Sequence, residues 1–179
     1  MEKWVTESSR YIHKSKHGNV RLDRCILPNG MVLEDYCVAE LPQWVNIVAI
    51  NDENEILLIR QFRQGGGVLS LEVVCGCVDD GETYEEAAIR ELEEETGYVC
   101  VGKPIFLGTF LSNPARQDNE TTFFLMNNIK ETGQKNFDDT EDLELVKIPF
   151  NSVDEYIKNG SIQVVSNVFA ISLAKEYLR

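Results

Sequence analysis

Six glutamates lie between positions 83 and 96, and a single arginine is the only cation among them. Glu91 and Glu95 are four positions apart, and Glu91 and Glu94 are three apart, so a helix here would place these carboxylates on one face. Like charges at such spacings destabilise a helix by about 0.2–0.5 kcal/mol per pair. A hard divalent cation removes the conflict, because Mg²⁺ and Mn²⁺ prefer carboxylate oxygens. The alternative is a solvated acidic face on a purely structural helix.

A longer pattern of fixed spacing surrounds these glutamates. The segment resembles the Nudix box, which reads glycine, five residues, glutamate, seven residues, then Arg-Glu-aliphatic-any-Glu-Glu-any-Gly-aliphatic. Tyr98 takes the last aliphatic position, a departure that concerns packing rather than metal binding. The matching positions are Gly76, Glu82, Arg90, Glu91, Leu92, Glu94, Glu95 and Gly97.

The resemblance implies a set of metal ligands. Glu91 and Glu95 would bind Mg²⁺ or Mn²⁺ directly, and Glu94 would bind a second ion or orient its water. The backbone carbonyl of Cys75 would be a further ligand, and its thiol would be incidental. Such ions neutralise a diphosphate and lower the pKa of an attacking water, so no cysteine or serine nucleophile is required.

The resemblance also implies the residues that support this site. Glu82 would support the ligands, and Arg90 would hold the glutamates through charge-assisted hydrogen bonds rather than contact the substrate. Gly76 and Gly97 are the fixed glycines of the box.

Two sequence features are similar to the ADP-ribose and nucleotide-sugar pyrophosphatase branch of the family. Residues 71–82 resemble its Leu-Glu-Xaa-Pro-Ala-Gly approach to the box, with Val74 and Cys75 in place of Pro-Ala. Pro114 lies sixteen residues after Tyr98, a spacing associated with ADP-ribose hydrolases, although Ala115 replaces the usual glycine.

Further candidate residues for the substrate and the general base follow from the same branch. Arg63 ends an Arg-Gln-Phe-Arg run and is a candidate phosphate contact, the alternative being a salt bridge to an acidic neighbour. Trp44 could stack on a base, or pack in the core or a dimer interface. Glu141 is the candidate general base with Glu120 as second choice, and the alternative is a solvated acidic loop.

The resemblance thus predicts a metal-dependent hydrolase that splits ADP-ribose or a related nucleoside diphosphate sugar into a nucleoside monophosphate and a sugar phosphate. The first alternative is another Nudix substrate, such as GDP-mannose, NADH or a modified nucleoside triphosphate. The second is a module that senses ADP-ribose without cleaving it. The ligating glutamates are all present, which favours turnover.

The elements that would position these residues are strands with a helix between them and another helix at the end. Aliphatic runs predict strands at 44–50, 55–60, 68–74, 105–111, 121–126 and 144–148. Thr83 with Glu86 predicts a capping box, and Gly97 a left-handed helix end. Ser152 with Glu155 predicts a second capping box, and a final helix is expected at 166–178. These elements indicate an α/β fold, an α/β/α sandwich on a mixed sheet, as in the Nudix family.

Residues 1–43 are expected to form a β-rich arm, and residues 44–179 the hydrolase domain. Asn29-Gly30 is a strong hairpin signal within the arm. So short an arm hardly buries its own apolar face, so it is expected to pack on the main domain or on a partner subunit. Together with the resemblance, the arm predicts a homodimer in which each arm helps build the partner's site.

Composition excludes several classes of partner and site. The net charge of −13 argues against nucleic acid, which binds through basic patches. No apolar run reaches the length of a membrane helix, and the start lacks the apolar stretch of a signal peptide. The two histidines make a His-based zinc site improbable, and five cysteines without a CxxC pair indicate reduced thiols in a cytoplasmic protein.

Overall fold

The computed structural model describes residues 2–132 and 142–179, which form two compact units. The first unit comprises the chain up to Gln43 together with Phe110–Glu120, and the second comprises Trp44–Thr109 and Thr121–Arg179. The sequence division at residue 43 assigned 110–120 to the hydrolase domain. The functional roles of the two predicted domains stay predictions.

The first unit contains a three-stranded antiparallel sheet in the order β1-β2-β3. Its strands are β1 (Val5–Ser15), β2 (Gly18–Ile26) and β3 (Val32–Glu40). The predicted Asn-Gly turn joins β2 to β3, with Gly30 in the left-handed region at φ 81° and its amide donating to the Leu27 carbonyl. Every residue of β1 is exposed, so this strand buries little of its own side-chain surface.

The second unit contains the strands β4 (Trp44–Ile50), β5 (Glu55–Arg63), β6 (Val68–Cys77), β7 (Tyr98–Cys100), β8 (Ile105–Leu111), β9 (Glu120–Met126), β10 (Ile129–Glu131) and β11 (Glu144–Pro149). Six of them form one sheet in the order β11-β5-β6-β4-β9-β8. β4 pairs in parallel with β9 and antiparallel with β5 and β6, so the sheet is mixed. Two strands that the sequence analysis did not predict, β7 and β10, form a separate antiparallel pair.

Helices cover both faces of this sheet: α1 (Tyr84–Thr96) one face, α2 (Val153–Lys158) and α3 (Val165–Tyr177) the other. Side chains alternate along β5, with Leu57 and Ile59 on the α1 side and Ile56 and Leu58 on the α3 side. The sandwich predicted from the sequence is therefore confirmed.

The second capping box, predicted at Ser152 and Glu155, is wrong. Ser152 has φ −91° and ψ −7° and ends a 3₁₀ turn (Phe150–Ser152) that runs straight into α2. Its hydroxyl donates to Asn151 Oδ1 and makes no capping hydrogen bond. An N-cap usually needs extended backbone, and the preceding turn removes it.

Candidate active site

Both ends of α1 are fixed by local chemistry. Thr83 has extended backbone, its hydroxyl accepts from the Glu86 amide at 3.2 Å, and the Glu86 carboxylate accepts from the Thr83 amide at 2.9 Å. At the other end Gly97 adopts φ 72°, and its amide donates to the Glu93 carbonyl. Both end signals predicted from the sequence are confirmed, and they fix which helix positions carry the glutamates.

Gly76, near the end of β6, lies against the carboxylate of Glu91. A Cβ atom at this position would overlap both carboxylate oxygens of Glu91 and its Cδ atom. Glycine therefore lets the strand and the helix approach closely enough for the carboxylate to rest on the backbone of β6. This close contact sets the position of one predicted ligand.

Arg90 gathers the carboxylates of the box around one guanidinium. It binds Glu82 through two hydrogen bonds of 2.9 Å, and its Nη1 donates to Glu91 at 2.8 Å and to Glu94 at 3.1 Å. Its Nη2 also donates to the Cys77 carbonyl at 2.9 Å. The hydrogen bonds to Glu82 contribute most to raising the pKa of Arg90, and the same contact lowers the pKa of Glu82.

Glu95 lies on the same face of α1 but deeper. The residue is 5% exposed, and its Oε2 accepts from the Cys75 amide at 3.3 Å. Buried carboxylates in proteins are paired with other groups or coordinate metals, so a glutamate at this depth is unusual at a site chosen for packing alone. Glu91 and Glu95 thus both approach the same short stretch of β6, at Gly76 and Cys75.

The donor chemistry of this cluster suits a hard cation. In residues 2–132 and 142–179, no three His, Cys, Asp or Glu side chains converge as a ready-made cation site. The predicted ligand set includes a main-chain carbonyl, and Mg²⁺ keeps several waters in its shell, so three converged side chains are not required. The carboxylate oxygens, with that of Glu91 resting against Gly76, suit such an ion. The ion would compete with Arg90 for Glu91 and Glu94.

The neighbouring thiols are poor nucleophiles. Burial raises the pKa of Cys75 well above the usual thiol value, and the negative charge of Glu95 is the second-largest cause. Burial, followed by the charge of Glu91, also raises the pKa of Cys77. Because only a thiolate attacks effectively, a raised pKa makes each of these thiols a weak nucleophile.

Arg63 at the end of β5 engages a partner that the sequence analysis did not single out. Its Nε and Nη2 donate to the two oxygens of Glu72 at 2.9 and 2.7 Å, and Nη2 also lies 3.4 Å from the Cys75 sulfur. Burial is the largest single influence on Arg63 and opposes its charge, but the hydrogen bonds to Glu72 and the neighbouring negative charges together outweigh it and raise the pKa of Arg63. The sequence signal that could have found Glu72 was its position as a glutamate within the apolar run of β6. Its side chain is 1% exposed.

The remaining predicted site residues lie in different parts of the fold. Trp44 begins β4, is half-buried, and pairs with Cys77 and Thr121 on either side. Pro114 is exposed in a turn of the first unit. Glu120, also in the first unit, begins β9. Glu141 lies outside the described residues.

Two family matches cover most of the chain. Residues 41–167 match the NUDIX domain, and residues 4–38 match the nucleoside diphosphate sugar hydrolase N-terminal domain. No helix in the described part of the chain has both the length and the apolar character needed to cross a membrane.

Similar proteins cover nearly the whole chain. A methanol dehydrogenase activator of Bacillus methanolicus is 28% identical over 93% of this chain and 89% of its own. An ADP-ribose pyrophosphatase of Bacillus subtilis is 28% identical over 81% of this chain and 78% of its own. The crystal structure of an ADP compounds hydrolase superposes with a TM-score of 0.86 at 24% identity, covering 99% of this chain and 95% of that one. The extent of the NUDIX match, on a fold that presents the box as described, shows that this chain belongs to the Nudix hydrolase family.

Proposed function

We propose that this protein hydrolyses the diphosphate linkage of ADP-ribose or a related nucleoside diphosphate sugar, giving a nucleoside monophosphate and a sugar phosphate. The observation that carries the proposal is the Glu91 carboxylate resting on Gly76 while Arg90 binds it beside Glu82 and Glu94. An ADP-ribose pyrophosphatase among the relatives supports the choice of substrate class.

Nudix hydrolases generally need divalent cations, and the proposed ion here is Mg²⁺ or Mn²⁺. Glu91, Glu95 and the Cys75 carbonyl would hold it, and Glu94 would hold a second ion or orient the water. When bound, such an ion neutralises the diphosphate and makes water more acidic. Arg90 holds the carboxylates of Glu91 and Glu94 in place through its hydrogen bonds.

The proposed reaction exchanges one bond to phosphorus for another. A water oxygen forms a bond to one phosphorus, the bond from that phosphorus to the bridging oxygen breaks, and the departing phosphate keeps the electron pair. The proton of the water passes to a carboxylate, for which Glu141 is the first candidate and Glu120 the second. Arg63, held by Glu72, is the proposed phosphate contact, and Pro114 and Trp44 are proposed substrate contacts.

The assembly and location belong to the same proposal. Apolar side chains on the three-stranded sheet are exposed, among them Val5 at 60% and Ile12 at 55%, which suits burial in a homodimer. All five cysteines are free thiols, as is usual in the cytoplasm. The net charge of −13 is unsuited to nucleic acid.

A substrate panel tests this function. The protein is incubated with ADP-ribose, other ADP-sugars, GDP-mannose, NADH and a modified nucleoside triphosphate, with and without Mg²⁺, and products are separated by chromatography. We expect AMP from ADP-ribose only when the cation is present. AMP production in EDTA would contradict the metal assignment. Binding of ADP-ribose, seen as a raised melting temperature without any product, would favour the sensing function instead.

A further inference from the structure

Three strands of the second unit change partners at one point of the sheet. β6 pairs with β5 as far as Val73 and with β4 from Val74 onward. Beyond this point β4 and β5 pair directly with each other, beginning with Ala49 opposite Leu57. The regular ladder of backbone hydrogen bonds is interrupted at such a change, so a buried amide there needs a partner from another element.

Asn167, in the first turn of α3, provides that partner. Its Oδ1 accepts from the Val73 amide at 2.9 Å, and the Nδ2 atom of Asn46 on β4 lies 3.5 Å from the same oxygen. Asn46 Nδ2 also lies 3.5 Å from the Ser166 hydroxyl. A single side chain of α3 is therefore hydrogen-bonded to β6 at the residue where this strand changes partners.

This pair of asparagines is an unusual choice for the middle of the core. Both residues are fully buried. Ala170 and Ile171, one turn further along α3, belong to the same apolar cluster as Val73. Asn46 Oδ1 and Asn167 Nδ2 make no hydrogen bond to any described residue. Buried polar atoms of this kind cost stability, and an apolar side chain of similar size would avoid that cost, so the asparagine indicates a role beyond filling space.

The residues of β6 that follow this bond form the backbone side of the proposed metal site. Glu95 Oε2 accepts from the Cys75 amide, and the Glu91 carboxylate rests on Gly76, two and three positions further along the strand. Asn46 is the residue opposite Cys75 in the pairing of β4 with β6. The same short stretch of β6 is thus held from α3 and contacted by the glutamates of α1.

We propose that Asn167 is a positioning residue for the divalent cation: its bond to the Val73 amide fixes the part of β6 that meets the glutamates of α1. The inference rests on the proposed function, in which Glu91, Glu95 and the Cys75 carbonyl hold the ion. Asn167 is not one of these ligands and acts on them through the strand. Its removal should therefore weaken cation binding while every ligand is still present.

Mn²⁺ binding to the full-length protein, followed by electron paramagnetic resonance, tests this inference apart from turnover. Asn167→Ala removes the acceptor for the Val73 amide, and we expect the Kd for Mn²⁺ to rise about tenfold, as is usual for residues that orient ligands. Hydrogen exchange at the Val73 amide of the metal-free protein, measured by NMR, should become faster in this variant. Asn167→Asp keeps an acceptor oxygen, so it should restore slow exchange and part of the Mn²⁺ affinity.

Asn51→Ala is the matched control for general damage to the second unit. Asn51 is also buried, and its Oδ1 accepts from the amides of Glu53 and Glu55 at 3.1 and 2.8 Å in the turn between β4 and β5. Its loss should lower the melting temperature, as the loss of Asn167 does, because buried backbone amides lose their acceptor in both variants. We expect the Kd for Mn²⁺ in Asn51→Ala to stay within about twofold of the wild-type value.

Wild-type Mn²⁺ affinity in Asn167→Ala would overturn the positioning role, and so would an equal loss of affinity in Asn51→Ala. If Asn167→Ala does not fold, Asn46→Ala decides, because it removes the donor facing Asn167 Oδ1 and leaves the bond from the Val73 amide. A rise in Kd of about threefold would then support the inference, and an unchanged Kd would refute it.

The wild-type protein separates failure of this inference from failure of the proposed function. A wild type that binds no Mn²⁺ would refute the proposed metal site, and the inference with it. A wild type that binds Mn²⁺ but cleaves no member of the substrate panel would refute the proposed hydrolysis alone, and the effect of Asn167 on Mn²⁺ affinity would still be expected.

Discussion

At the scale of single residues, the site depends on Gly76 and Arg90. Gly76 provides space for the Glu91 carboxylate against β6, and Arg90 binds that carboxylate together with Glu82 and Glu94. Neither residue is a proposed ligand. Residues that orient ligands commonly change metal affinity by about 10- to 100-fold when substituted, so their effect is measurable apart from the chemistry.

Gly76→Ala should displace the Glu91 carboxylate, because the new methyl group would occupy its position. We expect the Mg²⁺ concentration for half-maximal activity to rise by about tenfold or more, with the fold retained. Gly65→Ala is the matched control, since a Cβ there meets open space. Equal metal dependence of the two variants would contradict the proposed role of Gly76 in positioning the Glu91 carboxylate.

The sequence revealed the box residues because their spacing is fixed within one short segment. Glu72 was missed as a partner of Arg63 because the two belong to different strands. The register places Glu72 opposite Ile59, so the contact depends on the reach of the Arg63 side chain. The salt bridge considered as the alternative for Arg63 is present. The phosphate contact stays a proposal.

At the scale of elements, α1 was predictable because its caps are local. Thr83, Glu86 and Gly97 act within a few positions of the helix ends, so the sequence contains the whole signal. The pair β7 and β10 was not predictable, since each strand has three residues and is specified only by pairing with the other. Short strands carry too few positions for an alternating pattern.

Thr83→Ala should destabilise the protein by about 1 kcal/mol, because the helix loses its capping hydroxyl. Ser152→Ala is the matched control, since Ser152 makes no capping hydrogen bond. Denaturant unfolding of both variants gives the comparison. A similar loss of unfolding free energy in Ser152→Ala would contradict the structural difference between the two sites.

The link between α2 and α3 predicts a pH dependence. Lys175 binds Asp154 at 2.5 Å and lowers the pKa of Asp154. A lowered pKa means that the stabilisation is present above the unfolded value of about 3.9 and is lost as pH falls through the folded value. The difference in unfolding free energy between the wild type and Asp154→Asn should therefore shrink from pH 7 towards pH 3. A constant difference across this range would show that the ion pair contributes nothing.

At the scale of the whole molecule, the sequence predicted the sandwich but not which unit holds residues 110–120. The sandwich could be predicted because each run of apolar residues indicates its own strand or helix. The attachment of 110–120 to β3 joins positions about 80 residues apart through backbone bonds and single side chains such as Tyr36. No local pattern encodes such a contact.

Turnover by Glu95→Gln tests the central claim most directly, namely that the carboxylates of α1 bind the catalytic cation. Glutamine retains an oxygen that can accept from the Cys75 amide, so the fold should persist. Glu93→Gln, an exposed change on the same helix, is the matched control. We predict that Glu95→Gln lowers ADP-ribose hydrolysis by more than about 100-fold with the unfolding free energy nearly unchanged, while Glu93→Gln stays near the wild-type rate. Hydrolysis by Glu95→Gln at the wild-type rate would contradict the account.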